Sequence, residues 1–219
     1  MSLIKQSGNM YSFVTHTWNP VKGKCWHDCS YCYMKRFNLK DVRLDEKELR
    51  TDLGKGNFIF VGSGTDLFAH TVPGEWISRV MNYCKMFDNK YLFQSKNPGK
   101  FMFFDKPVNS VLGATIETNR LYEDIIGMSP HVSQRAYYMT ALKRFGFERM
   151  VTIEPILDFD LFEFIEMMKE IEPDWINIGA DSKDHKLPEP GKDKILNLIS
   201  ELEKFTTVKI KSNMKRLMA

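Results

Sequence analysis

Short apolar runs that break abruptly into polar residues recur along this chain, with helical stripes between them, and few folds accommodate that alternation. Asn57-Phe58-Ile59-Phe60-Val61 is a continuous apolar run, as expected of a strand buried on both faces. It breaks into Gly62-Ser63-Gly64-Thr65-Asp66. The same reading gives strands at 11–18, 91–95, 111–116, 149–153, 175–178 and 207–210, rich in β-branched and aromatic residues. Between them, Ile77, Val80, Met81, Cys84 and Phe87 form one helical stripe opening near Gly74. Residues 133–145 read as a helix ended by Gly146, Leu161, Ile165 and Met168 mark another, and Ile195, Leu198, Ile199 and Leu202 a fourth. Asp45-Glu46-Lys47-Glu48 has the form of a capping box, which predicts a helix running to about Gly54. Strands alternating with helices imply right-handed βαβ units and a parallel sheet. Six or seven units are too few for a closed barrel of about 250 residues. The expected fold is therefore α/β, a partial, open-sided (β/α)6-type TIM-like barrel. No repeat, low-complexity tract or linker divides the chain, so residues 1–219 read as one domain.

Three of the four cysteines lie in Lys24-Cys25-Trp26-His27-Asp28-Cys29-Ser30-Tyr31-Cys32-Tyr33, spaced C-x3-C-x2-C. Three thiolates from one short loop can hold three irons of a 4Fe–4S cubane, which usually takes four cysteines. One iron is then left open for another ligand. Structural zinc prefers four closed ligands, commonly in two separated pairs, and no second pair exists here. His27 is a fourth zinc ligand on paper, at the expense of strain in so small a loop. Cys84 falls in a helical stripe, where a free cysteine behaves as a small hydrophobe, and reads as core.

In parallel α/β folds the ligand lies at the carboxyl ends of the strands. The residues expected at that mouth are His16, the 62–66 loop, Ser95, Lys96, Thr115, Glu117, Glu154, Asp181, Lys211 and Asn213.

The cysteine spacing, with aromatic Tyr31 just before the third cysteine and a strand just ahead of the loop, resembles the radical S-adenosylmethionine superfamily. Thr15-His16-Thr17-Trp18-Asn19-Pro20-Val21 resembles a phage-associated branch whose function is largely unassigned. The resemblance implies a 4Fe–4S cluster on Cys25, Cys29 and Cys32, with the open iron binding S-adenosylmethionine. It implies an external one-electron reductant of the flavodoxin or ferredoxin type and a 5′-deoxyadenosyl radical that takes hydrogen from a substrate. Gly62, Ser63, Gly64, Thr65 and Asp66 resemble the stretch that holds the methionine amino group, although many members carry Gly-Gly-Glu there. Thr115 and Glu117 become candidates for the ribose hydroxyls and Tyr31 for the adenine. Arg135 is a candidate for the methionine carboxylate, against the alternative of a solvated helix face. His16, Lys96, Glu154, Asp181, Lys211 and Asn213 remain for substrate.

Composition narrows the setting. With 43% hydrophobic residues the chain can bury a sizeable core. Clustered cysteines in a chain this long suggest a reducing cytoplasm and no disulfide framework. Residues 1–9 lack an apolar signal region, and no apolar run is long enough to span a membrane. A net charge of +3 permits an anionic partner. The branch resemblance and the basic residues Lys209, Lys211, Lys215 and Arg216 point to a nucleic-acid base or nucleotide as substrate. The alternatives are an activase or maturase acting on a partner protein, and a non-catalytic zinc-binding nucleic-acid adaptor.

Overall fold

The structure is a computed structural model that describes residues 3–8 and 10–219. Met1, Ser2 and Asn9, part of the stretch expected to lack a signal region, lie outside the described residues. In chain order the elements are β1 (Ile4–Lys5), β2 (His16–Trp18), β3 (Val21–Lys22), β4 (Arg43–Leu44), β5 (Phe58–Val61), α1 (Gly74–Cys84), β6 (Lys90–Ser95), β7 (Ser110–Thr115), α2 (Glu123–Ile126), α3 (Val132–Ala141), β8 (Glu148–Ile153), α4 (Leu161–Ile171), β9 (Trp175–Ile178), α5 (Lys192–Leu202), β10 (Thr207–Ile210) and α6 (Lys215–Met218).

The main sheet has eight strands in the order β1-β2-β5-β6-β7-β8-β9-β10. Among the described residues only β1 runs antiparallel in this sheet, and every later neighbour is parallel. The order steps one way through the sequence. Right-handed crossovers made always in one direction put the helices on one face, and the sheet curls around the other. The two edges, β1 and β10, do not pair, so the barrel stays open. A separate two-stranded ribbon pairs β3 with β4, Val21 opposite Leu44 and Lys22 opposite Arg43. The cysteine loop is the excursion that this ribbon closes.

Side chains alternate along each strand, and the alternation divides the core in two. Ile59, Val61, Phe93, Leu112, Val151, Ile153, Ile176 and Ile178 face outward against Ile77, Val80 and Cys84 of α1, Phe164 and Met168 of α4, and Leu198 and Leu202 of α5. Phe60, Leu92, Val111, Met150 and Trp175 face inward. Toward the carboxyl ends the same inner face carries Gln94, Thr115, Thr152 and Asn177. The barrel thus has an apolar floor and a polar mouth.

Two expected elements are replaced. Residues 11–18 do not form one strand: only His16–Trp18 joins the sheet. Residues 10–14 turn inward and plug the open side. The Phe13 ring stacks on Tyr11 at 5.3 Å and meets Phe58 of β5 at 5.2 Å and Trp175 of β9 at 5.5 Å. An aromatic run suits a buried plug as well as a strand, and a barrel that cannot close by pairing supplies the vacancy. The helix expected over 45–54 shrinks to one 3-10 turn, Glu48–Arg50. Lys22 Nζ lies 2.8 Å from both Asp45 Oδ2 and Glu48 Oε1, so both carboxylates of the capping pattern are drawn into an ion pair, with Asp45 Oδ1 still accepting from Lys47 N at 3.2 Å.

Candidate active site

The cysteine loop lies across the carboxyl ends of the strands and is fixed from two sides. Ser30 N donates to Ile125 O at 2.9 Å, and Met128 N to His27 O at 2.7 Å. Gly127, at φ 61°, passes so close that a Cβ there would stand 2.3 Å from His27 O. Only glycine meets both conditions. On the other side Thr65 Oγ1 donates to Gly23 O at 2.8 Å. Cys29 is buried, while Cys25 and Cys32 are half-buried; none of the three is in a disulfide. Burial and the nearby Asp66 charge push the Cys25 thiol up to about 12.

Among the described residues, no three histidine, cysteine, aspartate or glutamate side chains gather around a point where one metal ion could sit. A cubane cluster asks for something different, because each thiolate meets its own iron. Three free thiols on one anchored loop at the mouth of a barrel match that donor set. His27 is buried, with Nε2 at 2.8 Å from Asp66 Oδ2, so its ring ties the cysteine loop to the 62–66 loop.

Behind the loop, Glu117 collects three groups from three elements. Its Oε2 lies 2.7 Å from Arg135 Nη1 of α3, its Oε1 lies 3.2 Å from Lys96 Nζ beyond β6, and Oε1 also accepts the Tyr31 hydroxyl. Glu117 and Arg135 are wholly buried. Burial alone would raise the Glu117 pKa, but the charges of Arg135 and Lys96 and the Tyr31 hydroxyl outweigh it and leave the value at about 2. Burial and the Glu117 charge hold the Tyr31 phenol well above its ordinary range. Lys96 also reaches the cysteines: Nζ lies 3.0 Å from Cys29 Sγ and 4.3 Å from the centre of the Tyr31 ring. Burial lowers the Lys96 pKa, yet the charges of Cys29 and Glu117 hold it above the usual range. Arg135 is on no solvated face. Its Nε donates to Pro130 O at 2.6 Å and its Nη1 to Thr115 O at 3.0 Å, while Nη2 is buried without a partner.

The 62–66 loop divides into an anchor and a rim. Asp66 Oδ2 accepts from Ser95 Oγ and Lys96 N, each at 2.9 Å, besides His27. Burial raises its pKa, but His27 and the amides of Lys96 and Phe68 hold it below the usual carboxylate range. Thr65 and Asp66 therefore tie the cysteine loop to β6. At the rim, Gly62 sits at φ 80°, and Asn19 Oδ1 accepts from Gly64 N at 2.8 Å and Ser63 Oγ at 3.2 Å. Asn19 was not among the expected site residues, although a polar residue right after a strand and before Pro20 is a usable signal.

Of the residues expected on the substrate side, two meet at the mouth. Lys211 Nζ lies 2.8 Å from Glu154 Oε2, above the Tyr11 ring at 4.9 Å. Lys96 belongs instead to the Glu117 cluster. His16 opens β2 rather than closing it, and pairs Nδ1 with Thr15 Oγ1 at 3.0 Å at the amino end, away from the mouth. β2 runs parallel to β5, His16 opposite Ile59 and Trp18 opposite Val61, so Trp18 stands at the carboxyl end. Asp181 braces its own loop, accepting from Lys183 N at 3.1 Å and pairing with His185 Nδ1 at 2.6 Å. Asn213 clamps the same loop through Ala180 O at 2.8 Å and Ser182 Oγ at 3.0 Å. The basic tail is largely engaged as well. Lys209 lies over the Phe13 and Trp175 rings, and Arg216 pairs with Glu189 at 2.5 Å.

This chain is similar to solved structures of spore photoproduct lyase. A variant with bound AdoMet and dinucleoside spore photoproduct matches 94% of this chain and 78% of its own, at 11% identity and a TM-score of 0.68. A second variant matches 95% and 80%, at 11% identity and a TM-score of 0.67. The enzyme anSMEcpe, with bound AdoMet and a peptide, matches 89% of this chain and 62% of its own, at 11% identity and a TM-score of 0.50. No protein-family model and no curated protein matches the chain. At these identities the likeness establishes the fold, an open, mainly parallel α/β barrel.

Proposed function

We propose that this chain is a radical S-adenosylmethionine enzyme with a 4Fe–4S cluster on Cys25, Cys29 and Cys32. The observation that carries the reading is the anchored three-cysteine loop lying across the strand ends, with Lys96 Nζ 3.0 Å from Cys29 Sγ. Two of the similar structures hold AdoMet, which supports that cofactor here. Cys25, Cys29 and Cys32 would hold the cluster, which when bound and reduced would supply one-electron reductive cleavage of S-adenosylmethionine and so hydrogen abstraction from a substrate.

The chain's own residues then bind and orient. Gly62, Ser63 and Gly64 present backbone to the methionine end, held open by Asn19. Thr65 and Asp66 keep that rim in register with the cysteine loop. Thr115 and the Tyr31 ring face the nucleoside. Glu117 and Arg135, buried behind Tyr31 and Lys96, fix the orientation of those two side chains. The Glu154–Lys211 pair stands at the substrate side of the mouth. An external one-electron reductant of the flavodoxin or ferredoxin type is required.

A nucleic-acid base or nucleotide is the favoured substrate, and the dinucleoside held by a similar structure supports it. The peptide held by anSMEcpe favours a partner protein as the second reading. Deuterium transfer separates them. The iron-loaded protein is reduced anaerobically with dithionite and S-adenosylmethionine, in the presence of deuterated oligonucleotides or deuterated peptides. Label in 5′-deoxyadenosine from oligonucleotides supports the favoured reading, and label from peptides alone replaces it with the second. No 5′-deoxyadenosine from iron-loaded protein under any condition refutes the enzyme reading.

A further inference from the structure

The excursion between β3 and β4 carries an uneven surface outside the buried cluster. Residues 24–43 hold five cations, Lys24, Lys35, Arg36, Lys40 and Arg43, against two carboxylates, Asp28 and Asp41. That surplus is as large as the +3 of the whole chain. All five cations are exposed. Three aromatic rings on the same stretch are exposed too: Trp26 at 39%, Tyr33 at 45% and Phe37 at 48%.

Lys24, Lys35, Arg36 and the three rings each have a fixed neighbour. Asp28 draws Lys24 to 3.6 Å and Lys35 to 3.0 Å, so cations from both ends of the cysteine loop share one spot. The Arg36 guanidinium lies 4.6 Å from the centre of the Phe37 ring. The Tyr33 hydroxyl donates to Ser63 O at 2.9 Å, which sets this ring at the rim of the 62–66 loop. Trp26 lies beside His70, ring centres 6.0 Å apart. Cations beside exposed flat rings suit a single strand of nucleic acid, whose phosphates meet the charges while unpaired bases stack on the rings. A duplex hides its base faces and gains nothing from the rings.

We infer that this rim binds single-stranded nucleic acid and leads it past the mouth, with bases stacked on Trp26, Tyr33 and Phe37. The inference rests on the nucleic-acid reading of the substrate, and it moves the electrostatic contact from the chain's basic tail to the cysteine-loop excursion. Stacking on one exposed ring is worth about tenfold in affinity. Each phosphate neutralised on a single strand steepens the salt dependence by about 0.7 in logarithmic slope.

The test is fluorescence anisotropy of iron-reconstituted protein with labelled oligothymidylate, an abasic strand of equal length, and a duplex, across a salt series. The expected order is oligothymidylate bound about tenfold or more tighter than the abasic strand, with the duplex no better than the abasic strand. Phe37→Ala weakens oligothymidylate binding about tenfold and leaves abasic binding unchanged. The double change Lys35→Gln, Arg36→Gln flattens the slope by about 1.4. Both positions are exposed, so thermal melts serve as the folding control. Equal affinity for oligothymidylate and abasic strand, or no binding at all, overturns the inference. So does binding of an acidic flavodoxin that depends on Lys35 and Arg36 while oligothymidylate does not bind. Iron content and substrate-free 5′-deoxyadenosine formation are measured on the same samples. If both persist while oligothymidylate fails to bind, the rim assignment falls and the enzyme reading stands.

Discussion

Replacing Glu117 by glutamine tests whether the buried charge cluster holds the site together. The carboxylate sits between two buried cations, 2.7 Å from Arg135 and 3.2 Å from Lys96. Its pKa is about 2, against 4.5 for an ordinary glutamate. Because the folded value is depressed, the stabilisation is fully present above pH 4.5 and is lost as pH falls from 4.5 toward 2. The gap corresponds to on the order of 3 kcal/mol, within the range of about 3–5 kcal/mol for breaking a buried ion pair. For a chain of this size each kcal/mol moves Tm by about 2–4 °C. Glu117→Gln should therefore lower Tm at pH 7 by roughly 10 °C. The difference should shrink when both proteins are melted at pH 4 and lower, where the unfolded wild-type chain takes up a proton that the folded Glu117 carboxylate does not. Calorimetry or circular dichroism reads it. A drop below about 2 °C, or a difference that is the same at pH 7 and at pH 3, would refute the reasoning.

The glycine-rich loop gives a contrast between neighbours. Gly62 sits at φ 80° with Thr65 O 3.0 Å from where a Cβ would stand, so Gly62→Ala should cost about 1–2 kcal/mol in denaturant unfolding. A Cβ on Gly64 meets nothing nearer than 3.5 Å. Gly64→Ala should leave stability within about 0.5 kcal/mol and weaken S-adenosylmethionine binding by calorimetry; unchanged affinity would remove the rim from the cofactor pocket. Lys211→Ala removes the cation 2.8 Å from Glu154. It should lower substrate turnover and leave substrate-free 5′-deoxyadenosine formation intact. Loss of that uncoupled reaction in folded, iron-loaded protein would move Lys211 to the cofactor side.

Much of the sheet is legible in the chain because its central strands bury both faces, while the exposed edge strand Thr207–Ile210 reads from its β-branched residues. Trp175–Ile178 and Thr207–Ile210 match their expected bounds, and four of the other strands fall within a residue or two of theirs. Residues 10–14 were not legible, since aromatic residues that plug a barrel and aromatic residues that pair in a sheet look alike. Asp45 and Glu48 misled for a related reason: a capping pattern does not reveal that Lys22, far away in sequence, claims both carboxylates. In the site, the grouping of Lys96 with Tyr31 and Glu117 depends on strands brought side by side, which no local spacing encodes. Strand-end polarity pointed to Asp181 and Asn213, but polarity does not tell a residue that braces a loop from one that faces a ligand. Asn19 was the reverse, a contact hidden in what looked like mere punctuation.

The most direct measurement is metal content after anaerobic reconstitution, for the wild-type chain and for each cysteine changed to alanine. About four irons per wild-type chain are expected, the content of one cubane cluster, with an electron paramagnetic resonance signal on reduction that changes when S-adenosylmethionine is added. Cys25→Ala, Cys29→Ala and Cys32→Ala should lose the iron, and Cys84→Ala, whose sulfur is buried among α1 and its neighbours, should keep it. A colourless protein holding one zinc per chain, or iron that survives loss of Cys25, Cys29 or Cys32 but not of Cys84, would contradict the account.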